Sequence, residues 1–572
     1  MFDLILNLVC ALVVMGATVI SGAPVVFRLS SKGRLFTKIA ASFAAGCVLI
    51  SLAGVLSSLL HLPTFPIESM VILGGIALAF RYRSFFHGEL DRDDRIVMAM
   101  AGIYILLLLV FFDHIKMWMA GDAVTHASII RMLLQGESVP ISLPPFGTYW
   151  EYYPKGFHTY AYYWARLFPV LTVIQTVPVV ISAFTPVLLY SLIRELQRQE
   201  IALYAFIIAC FMFPAHTSYL ISGGYPTTSA EMIMVAAILC AVLDWRLIPL
   251  MILGMAFMHT RLLIFLAAVS IAWAGAVYSR EKYTRPLIAL FIVLVLAMVL
   301  VFKPHPPGLL TSIFTDQNLA GKYVASWYPA LLSMIGAVVA FYRRDKLDRL
   351  SISWSLVLLA MLILADIGIT PAHLTPPYRV LTALYLPLSI LAAYVISIVE
   401  QSMGRGRVAL TVLLLIIGTM STGVVFYSYI DSWGMPAADY EAVNWLEEQN
   451  YSNATCINFD ETGAWIYPLL GMRLSDPRMI PVKTGFDQAI IQEMSHDPNS
   501  RQVIEKMQDA KGGPILIYVS SVSASNPGYK FPFQSVSQRY PTLNLSFSRE
   551  YYQPIYERGA IIFLFRAANK LI

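Results

Sequence analysis

Charge is what this chain has least of. Only 13% of its 572 residues are Asp, Glu, Lys or Arg, where a soluble protein carries about 25%. Cysteine is scarce too. Cys10, Cys47, Cys210 and Cys240 lie in apolar stretches and Cys456 stands alone in a polar one, which excludes a disulfide framework and a cysteine-based metal site. There is no Walker A loop, no GxSxG, no HExxH and no CxxC pair, so the common phosphate-loop, serine-hydrolase and zinc-protease signatures do not apply. No concentrated basic surface with interleaved aromatics occurs, which excludes a nucleic-acid partner. Internal repeats and low-complexity tracts are absent. The first residues, MFDLILNLVCALVVMGATVI, have no basic n-region; they read as a retained helix and not as a signal peptide.

What the chain has is apolar length. Hydrophobic residues make up 58% of it and its mean hydropathy is +0.66, the composition of a polytopic membrane protein. Runs near spanning length are expected at 3–25, 37–60, 66–81, 95–112, 168–193, 200–215, 227–244, 247–259, 262–279, 285–302, 328–343, 350–368, 378–398 and 407–430. That is about fourteen spans. Basic residues follow six of the seven odd-numbered ones: Arg28, Lys32, Arg34 and Lys38 the first; Arg81, Arg83, Arg92 and Arg95 the third; Arg194 and Arg198 the fifth; Arg280, Lys282 and Arg285 the ninth; Arg343, Arg344, Lys346 and Arg349 the eleventh; Arg405 and Arg407 the thirteenth. These loops share one side, which the positive-inside rule makes cytoplasmic. Both termini, the loops 113–167 and 303–327, and everything after Ser432 are then expected outside, on a multi-pass protein of the cell (plasma) membrane.

Two domains follow from this reading. Residues 1–432 form the multi-spanning domain and 433–572 a soluble extracytoplasmic α/β domain. In the second, ADYEAVNWLEEQN and SRQVIEKMQDA have helical periodicity, whereas ATCINFD, GPILIYVSS and GAIIFLFR read as strands. Sequons stand at Asn450, Asn453 and Asn544.

Candidate chemistry gathers at the outer ends. His61, His114, His126, His158, His216, His259, His305 and His373 all fall there on this topology. In 113–167, Asp113 ends a span. Asp122 opens an amphipathic helix with Ile129, Ile130, Leu133 and Leu134 on its apolar side, expected to lie along the membrane surface. An acid at a helix start also serves as a cap, and His126 shares its face one turn on. Next comes 149-YWEYYPKGFHTYAYYWARLF-168, dense in Tyr and Trp. Aromatics form belts at membrane interfaces, but a belt does not account for Glu151, Lys155 and His158 beside Tyr153. Tyr225 lies in the turn 222-SGGYPTTSAEM-232, His259 and Arg261 in 257-FMHTRLLIF-265, and Arg379 at the start of a span in 376-PPYRVLTALYLP-387. Arginine at such a depth either snorkels to the interface or holds a phosphate with its planar fork. The string 90-LDRDDR-95 falls on the cytoplasmic side and reads as a solvated loop.

Together these features resemble the GT-C superfamily of integral-membrane glycosyltransferases over most of the chain. An acid after a spanning helix, here Asp122 in GDAVTH with Asp113 in FFDHI second, is similar to the acid of that superfamily's first large outer loop. So are 153-YPKGFH-158, the late helix PPYRVLTALYLP, and a tail of 445-WLEEQN-450 followed by 463-GAWIYPLLGMR-473. The second acidic loop motif and the WWDYG signature of oligosaccharyltransferases are missing, which argues against transfer of a whole glycan to asparagine. The acidic loop also follows the fourth span and not the first, so spans one to three read as an added module.

The resemblance implies a polyprenyl-phosphate-linked sugar donor and a glycan, lipid or protein acceptor, with membrane lipids around both. It implies an inverting transfer with Asp122 as general base, and substrate contacts from Asp113, His126, Glu151, Tyr153, Lys155, His158, Tyr225, His259, Arg261 and Arg379. It requires no cofactor, though Asp113, Asp122 and the histidines are residue types that hold a divalent cation. Two other readings stay open: a transporter or flippase of lipid-linked sugars, and a non-catalytic membrane sensor or assembly protein.

Overall fold

Among the described residues, helix dominates where the apolar runs were read. The computed structural model describes residues 2–30, 33–81, 88–116, 122–136, 154–213, 217, 220–221, 223–278, 327–343, 345–366, 377–403, 406–449, 451, 453–459, 463–474, 488–510, 513–525 and 545–566. The helices of the apolar part are α1 (Phe2–Leu29), α2 (Leu35–Leu59), α3 (Thr64–Arg81), α4 (Arg92–Ile115), α5 (Asp122–Gly136), α6 (Gly156–Ala165), α7 (Val170–Glu195), α8 (Gln199–Ile207), α9 (Tyr225–Leu243), α10 (Ile248–His259), α11 (Leu262–Tyr278), α12 (Trp327–Arg343), α13 (Lys346–Asp366), α14 (Pro377–Met403) and α15 (Arg407–Trp433). Among the described residues, seven helices are long and apolar enough to cross a membrane. The protein is therefore a polytopic helical membrane protein. The expected span 285–302 lies outside the described residues.

The chain divides into two compact units: 1–109, 154–160 and 176–427 in the first; 110–153, 161–175 and 428–572 in the second. In the first unit, helices approach at small residues, as membrane helices do. A Cβ on Gly22 of α1 would stand 2.0 Å from the Ser42 carbonyl oxygen, and one on Gly46 of α2 would stand 1.9 Å from that of Thr18. Gly336 lets α12 meet α14 in the same way, and Ser333 donates from α12 to the Leu388 carbonyl at 2.8 Å. Helix α8 runs on into a π-turn, Ile208–Met212. Such a turn disturbs the regular ladder, and the Phe211 carbonyl accepts from Thr422 of α15 at 3.0 Å.

One end of the first unit is held by two ionic clasps of the same build. In the first, Asp91 and Asp94 cap each other's backbone: Asp94 N–H donates to Asp91 at 2.9 Å and Asp91 N–H to Asp94 at 3.3 Å. Tyr190 donates its hydroxyl to Asp94 at 2.9 Å, Arg194 donates to Tyr190 at 3.1 Å, and Arg34 and Arg194 both pair with Asp91. In the second, Asp345 and Asp348 cap each other at 2.9 and 3.0 Å, Arg198 pairs with Asp345 at 3.0 Å, and its guanidinium lies 5.6 Å from the Tyr394 ring centre. Thus LDRDDR is not a solvated loop: it is a capping box whose second acid is buried. Loops that charge alone assigned to one side meet around the five-residue turn from Arg194 to Arg198.

The second unit contains a five-stranded sheet of order β2-β1-β3-β5-β4, made of β1 (Thr455–Asn458), β2 (Arg473–Leu474), β3 (Ile515–Val519), β4 (Tyr552–Arg558) and β5 (Ala560–Phe565). β1 runs parallel to β2 and β3, while β5 is antiparallel to β3 and β4. Alternate residues of the central strands feed two cores. Cys456, Leu516 and Tyr518 face Ala442, Val443 and Leu446 of α16 (Ala437–Glu448). Ile457, Ile517 and Val519 face Ile490 and Met494 of α18 (Gln488–His496), and Val503, Ile504 and Met507 of α19 (Arg501–Asp509). Between β1 and β2 lies the short α17 (Ile466–Leu470), ended by Gly471 at φ 72°.

Candidate active site

In the first unit, three segments that are distant in sequence come together. Helix α6 begins at Gly156 because Pro154 cannot extend a helix backward and Lys155 offers its carbonyl to Thr159, both to the N–H at 2.9 Å and to the hydroxyl at 2.8 Å. Gly156 is there for contact: a Cβ on it would stand 2.8 Å from the Phe257 carbonyl, two residues before His259. Phe157 meets the ring of Tyr225, 5.6 Å between centres, at the start of α9. So the YPKGFH segment, the Gly-Gly-Tyr-Pro turn and the His259–Arg261 turn are one place. His158, Tyr225 and His259 are buried there, and Lys155 and Arg261 are half-buried.

The same segment is gripped by the N-terminal helices. Thr18 of α1 and the hydroxyl of Tyr160 are 2.6 Å apart. Glu68 of α3, fully buried, lies with Thr159 against Gly54 of α2. Sequence reasoning missed Glu68, although an acid inside an apolar run is itself a signal. Arg379 falls in the first turn of α14; Glu151 and Tyr153 lie outside the described residues. A groove of about 450 Å³ runs along α9, α10 and α11, lined among others by Ile238, Ile252, Leu263, Leu266 and Trp273. Its lining runs from Leu263 to Trp273 on α11, and on α9 and α10 it lies toward the ends away from Tyr225 and His259.

In the second unit, Asp122 is the first residue of α5 and is exposed, while His126 one turn on is buried. The apolar side of α5 is covered by protein, contrary to a helix lying bare on a membrane. Ile129 and Leu133 pack on Tyr162, and the GAWIYPLLGMR segment docks alongside. Arg131 donates to the carbonyls of Pro468, at 2.9 Å, and Leu469; Tyr467 donates to Gln135 at 3.0 Å. Burial lowers the pKa of Arg131 and pushes that of Tyr467 up to about 12. Asp113 is half-buried and paired with Lys116 at 2.8 Å, whose ammonium also sits 5.7 Å from the Tyr440 ring centre. Among the described residues, no three His, Cys, Asp or Glu side chains gather to hold a metal ion.

No family model and no curated protein matches this chain. Solved structures do resemble it. The likeness is to an archaeal oligosaccharyltransferase. The apo enzyme from Archaeoglobus fulgidus is 13% identical, with 76% of this chain and 70% of that one covered and a TM-score of 0.49. The same oligosaccharyltransferase tethered to an acceptor peptide containing an NVT sequon gives 12% identity, coverage of 75% and 69%, and a TM-score of 0.40. Its complex with zinc and sulfate gives 13%, 75% and 68%, and 0.41. At such identities and scores the oligosaccharyltransferase lends this chain neither an activity nor a residue role.

Proposed function

We propose that this protein is a membrane glycosyltransferase. It moves a sugar from a polyprenyl-phosphate-linked donor to a hydroxyl of a glycan, lipid or protein acceptor, on the extracytoplasmic side of the cell membrane. One observation carries the reading: Lys155 with His158, Tyr225, and His259 with Arg261 belong to three separate motifs, and the contacts through Gly156 and Phe157 join their segments. Cationic and hydroxyl-bonding groups at one end of helices whose flanks form an apolar groove suit an amphiphile with a phosphate head. The groove would take the lipid chain farther along α11, and the Arg261 guanidinium the phosphate.

The chemistry is a single displacement. Asp122 accepts the proton of the acceptor hydroxyl as that oxygen bonds to the anomeric carbon. The bond from that carbon to the phosphate oxygen breaks, and polyprenyl phosphate leaves with the electron pair. Arg261, with Arg379 or Lys155, offsets its charge. His126 and His158 orient the base or the acceptor. One base serves an inverting reaction, and the exposed position of Asp122 suits a group that must meet an incoming acceptor.

The test is transfer by the full-length protein in detergent, offered a panel of radiolabelled polyprenyl-phosphate monosaccharides and a membrane-glycan acceptor fraction. Wild type should form product with at least one donor. Asp122→Asn should lower the rate by about 10²- to 10⁴-fold, the usual worth of a general base. Near-normal turnover in that variant overturns the assignment.

A further inference from the structure

Helix α3 is built inside out for a soluble protein. Its buried residues are Thr64, Glu68, Ile72 and Gly75, a stripe at helical spacing. One turn into the helix is a carboxylate, fully buried. Outward face Met70 (63% exposed), Leu73 (62%) and Phe80 (78%). A membrane helix has lipid on its outer side, so apolar residues there need no explanation. An acid turned inward does, because burying a carboxylate is expensive and acids in spanning helices mark function.

What Glu68 faces is Thr159, the residue after the YPKGFH segment. A Cβ on Gly54 would stand 2.3 Å from Glu68 Oε1 and 2.1 Å from Thr159 Cγ2. The carboxylate and the threonine therefore press on the same point, and only glycine leaves them room. Thr159 in turn ties its hydroxyl to the Lys155 carbonyl at 2.8 Å, and it adjoins His158. From α1, Thr18 holds the next residue, Tyr160. On the far side Gly156 rests on the α10 backbone. The segment is thus seated between α10 and all three N-terminal helices.

From this we infer that Glu68 is a positioning residue for Lys155 and His158, acting through Thr159, and that α1–α3 are the seat of the site and not an appendage. The inference rests on the proposed glycosyl transfer only for what the segment does, not for how it is held. Glutamine at this position separates the role of the acid from that of its bulk.

The experiment is hydrogen exchange on the full-length protein in detergent, without ligand, comparing wild type with Glu68→Gln, which keeps the shape and removes the acid. Amides 156–160 should exchange faster by about tenfold or more, with the β3 amides 515–519 unchanged. Equal protection in both proteins overturns the inference. If Glu68→Gln does not fold, Gly54→Ala displaces the same two groups and should give the same rise. Gly74→Ala, with nothing within 4 Å of the added methyl, should leave 156–160 protected; a rise there as well overturns the inference. In the transfer assay Glu68→Gln should lower kcat by about 10²-fold at unchanged KM, as misplacement of a distant support does. If wild type transfers nothing, or Asp122→Asn transfers normally, the proposed function falls while the exchange result still decides how the segment is held.

Discussion

Arg194 and Asp91 tie together loops that are far apart in sequence, and their energetics can be tested singly. Burial pushes the Asp91 carboxyl up, but the Asp94 N–H and the Arg194 and Arg34 guanidinium groups outweigh it and hold it below the ordinary 3.8. A folded-state value below the unfolded one means a contribution to stability that is whole above pH 3.8 and is lost as pH falls through the folded value. Asp91→Asn should therefore lower the melting temperature in detergent at pH 7 and flatten its decline in acid; an unchanged acid limb would sink the clasp. Arg194→Leu leaves Asp91 and Asp94 with Arg34 alone and takes the guanidinium from Tyr190. It should destabilise by about 1.5–3 kcal/mol, the worth of hydrogen bonds to charged groups. LDRDDR was misread for a clear reason. Its local pattern is that of a polar loop, and the groups that bury it, Tyr190 and Arg194, come from another helix about a hundred residues on. By contrast, that Arg34, Arg194, Arg198 and Arg343 belong on one side could be read from their alternation with apolar runs.

At the scale of elements, α5 is the instructive case. Its existence and its apolar face were visible in the sequence, but what covers that face was not. The covering segment is GAWIYPLLGMR, more than three hundred residues away, and the seam is polar: Arg131 on the Pro468 and Leu469 carbonyls, Tyr467 on Gln135. Removing Arg131 should cost about 1.5–3 kcal/mol, the worth of hydrogen bonds to a charged group, and Tyr467→Phe about 1 kcal/mol. Hydrogen exchange of residues 463–474 checks both; unaltered protection in Arg131→Ala would show that the seam does not depend on it. In the α/β unit, β1, β3 and β5 and the helices α16 and α19 were readable from periodicity. β2 spans only two residues and β4 carries Pro554 with a register shift, so neither has a pattern to read. Glu68 escaped notice because one acid hardly alters the hydropathy of an eighteen-residue helix, although it alters what that helix can do.

For the whole molecule, the sequence was a good guide to class: low charge and repeated apolar runs make a polytopic membrane protein, and the periodicity change after Ser432 announces an α/β tail. It was a poor guide to which motifs meet, since proximity of YPKGFH to α1–α3, α9 and α10 depends on glycine contacts that no local pattern encodes. The proposed sidedness predicts that protease added to spheroplasts cleaves within 433–572 and spares the loops bearing Arg34 and Arg343; protection of the tail would invert the topology. The central claim is catalysis by Asp122, and it has one direct measurement. Purified wild type and Asp122→Asn are each given the radiolabelled polyprenyl-phosphate monosaccharide that wild type uses, and both bound donor and product are counted. The account predicts equal donor binding with product lost by at least about 10²-fold in the variant. Equal product from the two proteins would contradict it.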